Sequence, residues 1–566
     1  MKLKMILGGI ACMALLASCS DEMDYHEYSN YDKDYIFSNF DNTCGFITNI
    51  YGKLDYDFGN YDGGLLASAC DESEYAWKSG SVRDFYNGAW SSTNAKSACW
   101  SDSYWAIRAA NYYLKEGLGL KFSDYKFNKD YAGQMMRYHR YQFEVRFLRA
   151  YFYFNLARQY GDVPLTTTVT TQEEANTLSR TPASDVFNFI VKECDAISDS
   201  LPVSYTKLNS VDAASGETGR VTKLAVLALK ARTLLYAASP LFNKNNDAEL
   251  WHKAALASKA VIDSCSTYGV KLGKYADLWG TDNWKSAEMI FVRRVGDSQS
   301  LESTNFPIGV EGGHSGNCPT QTLVDAYQMK STGKLWNETG SGYDSQNPYL
   351  GRDPRLAMTI AINGDKGWPA YNSLPLQTYY GGVNGEPIAG ATPTGYYLKK
   401  YLDSSVNLTS GNSTTKRHSW ITYRLGEFYL DYAEAVFKYL GSADVTSIEF
   451  PMSARAAVNV IRSRSDVQMP ALSSGLSPAD FWMQYEDERM VELAFEGHRF
   501  WDLRRWKEGD KLKNVTEMAI TQNSDGTYSY RRRVENRSWS DKMYLFPIPQ
   551  SELLKNPNLT QNPSWE

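Results

Sequence analysis

The chain has 566 residues, 43% of them apolar and 22% charged, with a formal net charge of −6 at neutral pH. That length and mixture describe a globular protein with ample core, and the lack of a basic surplus argues against a nucleic-acid partner. The outlying number is aromatic, with 40 Tyr and 15 Trp; such rings fill cores, but they also make broad contact surfaces at low entropic cost.

Residues 1–18 read as an export leader. Lys2 and Lys4 precede an apolar run over 5–16, shorter than the about 20 residues a membrane span needs. The run ends in Leu16-Ala17-Ser18-Cys19, small residues before a cysteine. This resembles a bacterial lipobox, in which cleavage precedes the cysteine and acyl chains are attached to it; the plainer alternative is a signal peptide with an incidental cysteine. Several acyl chains make a stable membrane anchor. Ser20-Asp21-Glu22 resemble the surface-export signal of Bacteroidetes lipoproteins. Residues 19–40, polar and rich in Tyr and Asp, are expected to form a lipidated tether, and 41–566 a single domain. No later stretch reaches 18 uninterrupted apolar residues.

Helical periodicity then takes over. Around 140–160, Phe147, Ala150, Tyr151, Phe154 and Ala157 recur at three- and four-residue steps, and Gly161 and Pro164 end the run. Further helices are predicted over 222–239, 248–265, 419–440, 453–464 and 478–507. Trp100, Tyr104, Ile107 and Asn111 share one face of an earlier helix. Paired helices with Ala and aromatic residues on facing sides suggest stacked hairpins, although no strict repeat survives. Between about 266 and 415 the stripes vanish and Gly, Pro, Asn, Ser and Thr interrupt every apolar run, which predicts a loop-rich insertion. Asp525-Gly526 predicts a hairpin turn, and Arg531-Arg532-Arg533 after it a solvated strand.

Catalytic patterns are missing. Six histidines form no H-E-x-x-H pair, and Gly313-His314-Ser315-Gly316-Asn317 lacks the final glycine of a nucleophile elbow. Six scattered cysteines (Cys44, Cys70, Cys99, Cys194, Cys265, Cys318) form no C-x-x-C, so disulfides and buried thiols both stay open. Glu488, Glu492 and Glu496 fall at four-residue steps beside Arg489, Arg499, Arg504 and Arg505. A glycosidase needs two carboxyls about 5–9.5 Å apart across an open cleft, whereas neighbours on one helix surface normally pair with arginine. No cofactor is expected. A structural calcium stays open, without a D-x-[DN]-x-[DN]-G loop to mark it.

The same segments carry a family resemblance. Glu144-Val145-Arg146-Phe147-Leu148-Arg149-Ala150-Tyr151-Phe152-Tyr153 with Tyr160-Gly161-Asp162-Val163-Pro164 resembles the signature helix of SusD-like (RagB/SusD) proteins. Arg424-Leu425-Gly426-Glu427-Phe428-Tyr429-Leu430-Asp431-Tyr432-Ala433-Glu434-Ala435 and the block from Asp487-Glu488-Arg489 to Asp502-Leu503-Arg504-Arg505-Trp506 do likewise. So do Pro319-Thr320-Gln321 with Asp325-Ala326-Tyr327, and Tyr544-Leu545-Phe546-Pro547-Ile548-Pro549. The resemblance, over nearly all of the chain after the leader, implies a mainly α protein: four tetratricopeptide-like helix pairs as scaffold, a large loop-rich ligand face and few short strands. It also implies a lipid-anchored, cell-surface protein of the outer membrane that captures oligosaccharides without chemistry and serves a SusC-like TonB-dependent transporter. A peptide-binding relative of the same family and a surface glycosidase are the alternatives; neighbouring genes and reducing-sugar release separate them. Overall likeness points to a fructan such as levan, with no motif behind it.

Sugar recognition needs aromatic planes and a few planar polar groups. In the family the site draws on the segment after the second helix and on the loop-rich middle. That singles out Asp71 with Glu72, Trp77, Arg83 and Trp90 here, and Trp105 as a ring beside the stripe of its helix. From the middle come the loop before Pro319, with Cys318, and Trp336; Trp284 and Tyr343 are weaker.

Overall fold

Helices follow one another in space as they do in sequence. The computed structural model describes residues 32–205 and 217–565. Helix α1 is Phe40–Tyr51, α2 Ala98–Glu116, α3 Tyr131–Tyr160, α4 Ala183–Ile197, α5 Lys223–Ala238 and α6 Ala248–Tyr268. After a long excursion come α7 (Leu425–Leu440), α8 (Ala454–Arg462), α9 (Pro478–Glu492) and α10 (Arg499–Arg505). Each of α2 to α9 packs on its predecessor, giving four successive pairs. The 30-residue α3 is buried nearly all round from Glu144 to Tyr160, because α2 and α4 cover it from different sides. Gly161, at φ 74, ends it by donating to the Ala157 carbonyl. Side chains cap the starts: Thr222 accepts from the amide of Ala225, Asp247 from Glu249, Ser453 from Ala456 and Ser477 from Asp480.

Three expected boundaries move. Residues 32–40 are not free tether: Lys33–Ile36 form one helical turn, and Phe37 and Phe40 are buried, Phe37 stacking on Tyr112. The polar composition hid two rings with a docking place. The expected 419–440 helix begins as strand, since Lys416–Arg424 is a β-strand and only then does the chain turn helical. The expected 478–507 helix is two, broken where Phe495 and Gly497 both take positive φ. Cys19 lies outside the described residues.

Every sheet among the described residues is two-stranded and antiparallel. Strand β1 (Ser73–Tyr75) pairs with β3 (Asn317–Pro319), β2 (Met289–Ser298) with β6 (Lys416–Arg424), β4 (Ile360–Ala361) with β5 (Tyr397–Leu398), and β7 (Asn514–Gln522) with β8 (Tyr528–Asn536). The excursion between α6 and α7 has no helix longer than six residues, as the composition of 266–415 predicts. It separates the two partners of the third helix pair, α6 and α7, which nonetheless pack closely. The loop-rich stretch is thus an insertion inside the scaffold.

Candidate glycan-binding face

Sequence-predicted contacts divide sharply once placed. Asp71 is 1% exposed and receives both Nε and Nη2 of Arg499, at 2.9 and 2.8 Å. Trp90 is 2% exposed, edge-on to Phe85, Phe546 and Trp565, which leaves no ring face for a sugar. Cys318 is fully buried in β3 opposite Glu74. These three are architectural, and an acceptor, a ring and a small apolar group serve interiors as well as sites. Glu72, also buried, accepts from the Phe495 amide; burial and the Asp71 charge push its carboxyl up to about 8.

Trp77 and the loop before Pro319 do come together. The Trp77 indole donates to the His314 carbonyl at 2.8 Å. Gly390 passes so close to its ring that a Cβ there would lie 2.3 Å from it, so two loops hold the ring, which stays half-buried. Arg83 bridges β1 to β8, reaching Glu74 at 2.7 Å and Glu535 at 3.2 Å.

The β7–β8 ribbon joins this region to Trp336. Strand alternation puts Tyr528, Tyr530 and Arg532 on one face and Arg533 and Glu535 on the other. Arg532 lies over the Trp336 ring at 3.4 Å and pairs with Asp325 at 2.6 Å, while Tyr343 meets Trp336 edge-on at 5.7 Å. Tyr530 meets Tyr349 and Tyr528 meets Tyr379, at 5.8 and 5.4 Å between ring centres. Tyr380, anchored by its amide to the Ile520 carbonyl, is 65% exposed. The expected solvated arginine strand is therefore only partly so. Arg531 is exposed, but Arg532 is stacked, and Arg533 is held by Glu517, Glu386 and the Pro393 carbonyl. Tyr528-x-Tyr530-x-Arg532 after the Asp525-Gly526 turn was the signal available for this row, a period of two on a strand.

Two candidates sit apart. Trp105 projects from α2, 47% exposed, with Lys53 Nζ 5.4 Å from its ring. Trp284 is half-buried beneath Arg294.

The carboxylates tested for glycosidase chemistry form a sealed ionic network. Arg424 reaches Glu288, Glu492 and Glu496 at 2.7–2.9 Å, and Arg464 reaches Glu288 and Glu492. Arg355 joins Glu488, Glu492 and Asp353, Arg462 joins Glu488, and Lys400 joins Glu496. Every one of these side chains is at most 2% exposed. Burial raises the Glu492 carboxyl, but Arg464, Arg424 and Arg355 outweigh it and hold the group at about 2. Ion pairing was expected, but most partners come from other segments: Arg489 goes to Asp431 and Asp502, and Arg505 to Glu434 as well as to Asp502 three residues back on its own helix. No sugar reaches these groups.

Among the described residues one carboxylate trio has metal-like spacing, Glu74, Glu517 and Glu535 within 4.8 Å of one another. Arg83, Arg533 and Arg537 already pair with them. Three guanidinium groups balance three carboxylates, so the donor set does not suit calcium. Burial and the neighbouring Glu517 push Glu74 up to about 7.

The comparisons with known proteins agree with this architecture. Residues 287–565 match the model of the SusD family, and residues 24–235 match a model described as starch-binding associating with outer membrane. The chain belongs to the SusD-like family, whose members associate with the outer membrane and bind glycans rather than transform them. SusD-like protein P25 of Formosa agariphila is 24% identical over 440 residues, 74% of this chain and 71% of that one. A SusD-like protein of Bacteroides fragilis superposes with a TM-score of 0.76 at 25% identity, over 94% of this chain and 98% of that one. A SusD-like carbohydrate-binding protein of the same species gives 0.72 at 24% identity, over 93% and 100%.

Proposed function

We propose that the protein captures oligosaccharides at the cell surface and passes them to a SusC-like TonB-dependent transporter, held to the outer membrane through a lipid on Cys19. The observation that carries the binding half is the aromatic row along β8 and its loops, from Trp336 through Tyr530 and Tyr528 to the outward Tyr380. Rings of this kind offer planes to the C–H faces of sugars, while Arg532, Asp325 and Glu386 offer planar groups for hydroxyls. A fructan such as levan stands as the ligand to try first. The family's outer-membrane association and the Leu16-Ala17-Ser18-Cys19 leader support the anchor.

Affinity gels containing levan, other fructans, starch and laminarin test the ligand. One polymer should retard the native protein, and Trp336→Ala together with Tyr380→Ala should abolish that retardation without changing the melting temperature by more than a degree or two. Unchanged retardation would move the site elsewhere. Cys19→Ala should free the protein from membranes while leaving retardation intact, and co-purification with the transporter should survive detergent extraction.

A further inference from the structure

The loop from Gly117 to Asp130, between α2 and α3, carries none of the residues of the candidate face, yet it shows apolar side chains to solvent. Phe127 is 89% exposed, with Leu118 at 43% and Tyr125 at 39%. The Phe127 ring has the Lys126 ammonium 4.8 Å from its centre. Apolar side chains scattered singly over a surface mean little, whereas three within one short loop mark a contact.

This loop is braced from beneath. Phe122 is buried between Phe40 and Tyr138, at 6.5 and 5.3 Å between ring centres. The Tyr138 hydroxyl accepts from the Leu120 amide at 2.8 Å and donates to the Gly117 carbonyl at 2.7 Å. The Tyr131 hydroxyl donates to the Lys121 carbonyl at 2.6 Å. Phe127 is therefore displayed from a fixed support, and little ordering cost attends its use.

Position and charge indicate what covers it. The first described residues pack on this same end of the hairpin: Lys33 pairs with Glu116 at 2.9 Å, and Phe40 meets Phe122 edge-on. Twelve residues, 20–31, separate Cys19 from Asp32, so acyl chains on Cys19 would lie within about 45 Å of that end. Over 115–130 the exposed lysines Lys115, Lys121, Lys126 and Lys129 stand against Glu116, Asp124 and Asp130, and Glu116 is already held by Lys33. The chain as a whole carries a net charge of −6, so this local surplus of lysine runs against its balance. Lysines around an exposed ring suit a bilayer surface, where the ring enters the boundary between headgroups and acyl chains and each ammonium meets anionic lipid.

We infer that the α2–α3 loop is a foot that seats on the membrane, with Phe127 and Leu118 entering the headgroup boundary and Lys121, Lys126 and Lys129 meeting anionic headgroups. The inference rests on the reading of Cys19 as the lipid anchor and adds a second contact at the same end of the body. A lipid on a tether leaves the protein free to turn; lipid and foot together fix which way it stands.

The test uses the full lipoprotein mixed with vesicles of phosphatidylcholine and phosphatidylglycerol, followed by sedimentation and by amide hydrogen exchange. The protein should sediment with the vesicles, and residues 118–129 should exchange about tenfold more slowly than in Phe127→Ser, the loss expected for one partly inserted ring. Lys126→Glu combined with Lys129→Glu should remove the difference between these vesicles and vesicles of phosphatidylcholine alone. Exchange in the rest of α2 and α3, and Tm, should be the same in every variant, which reports that each is folded. Equal loop exchange in the parent and in Phe127→Ser would overturn the inference. So would protection that appears only when the transporter is added, which would assign the loop to a protein partner. Protein that stays out of the vesicle pellet refutes the anchor reading and the foot with it, whereas pelleted protein with an unprotected loop refutes the foot alone.

Discussion

Two clusters of arginine, carboxylate and ring stand on opposite terms with water. Around Arg424 every charged side chain is at most 2% exposed, and each carboxylate is shared between basic groups of different segments. Along β8 the same chemistry is left open: Arg532 and Asp325 are 28% and 21% exposed, Arg533 and Glu386 34% and 43%. The buried cluster joins β6, α9 and the insertion into one body and has nothing left to offer a ligand. The open cluster is oriented by its ion pairs yet stays partly open to solvent. Pairing therefore does architectural work in one place and positioning in the other, and exposure decides which.

The largest effect should come from breaking the buried cluster. Arg424→Met leaves Glu288, Glu492 and Glu496 short of a partner and should cost about 3–5 kcal/mol in urea unfolding, whereas Arg532→Met should cost under about 1 kcal/mol. Equal losses would erase the distinction between the clusters.

Acid attacks the same cluster by another route. Glu492 is held at about 2 by its arginines, and so is Glu434, where Arg505 offsets burial. Both sit below the unfolded value of 4.5, so their stabilisation is complete above that pH and lost as pH falls from 4.5 toward 2. Melting temperature measured from pH 6 to pH 3 should drop steeply, and Glu492→Gln should flatten the slope from a lower start. Glu72 works with the opposite sign. Its folded value of about 8 lies above 4.5, so the protein loses stability as pH rises between these limits. Glu72→Gln should be more stable than the native chain at pH 8, on the order of 3 kcal/mol, and no more stable at pH 4.

Smaller still is the expected effect of Trp336→Ala on stability, within about 1 kcal/mol, because its ring packs mainly on Arg532 and Tyr343. Arg531→Ala, fully on the surface, should change neither stability nor gel retardation. A clear loss of binding there would extend the face to the outer side of β8.

The scaffold was largely legible because its helices announce themselves by period and punctuation. The stripe through Phe147, Tyr151 and Phe154 with Gly161 behind it, and the Ala- and Leu-rich run over 222–239, each led to a helix. The errors lay where tertiary context overrules local pattern. Lys416–Arg424 reads on into a helical stripe, yet pairing with β2 makes it a strand. The candidate face was harder. Asp71 and Trp90 have the right chemistry for a sugar site, but whether a carboxylate faces solvent or Arg499 depends on residues more than four hundred positions away. Trp336 and Tyr343 were singled out as rings of the loop-rich middle, while the placing of Arg532, Tyr530 and Tyr380 beside them depends on a ribbon whose neighbours are distant in sequence.

The excursion between α6 and α7 has a consequence for how such a protein diversifies. Loop-closure entropy grows only logarithmically, about 0.6 kcal/mol for each doubling of length. A chain that already makes a detour of this size between two packed helices can lengthen, shorten or exchange it at little thermodynamic cost. The contact of α6 with α7 is a fixed clasp, and what hangs from it is a replaceable cassette. The loops can then be rewritten while the clasp keeps the body of the protein unchanged.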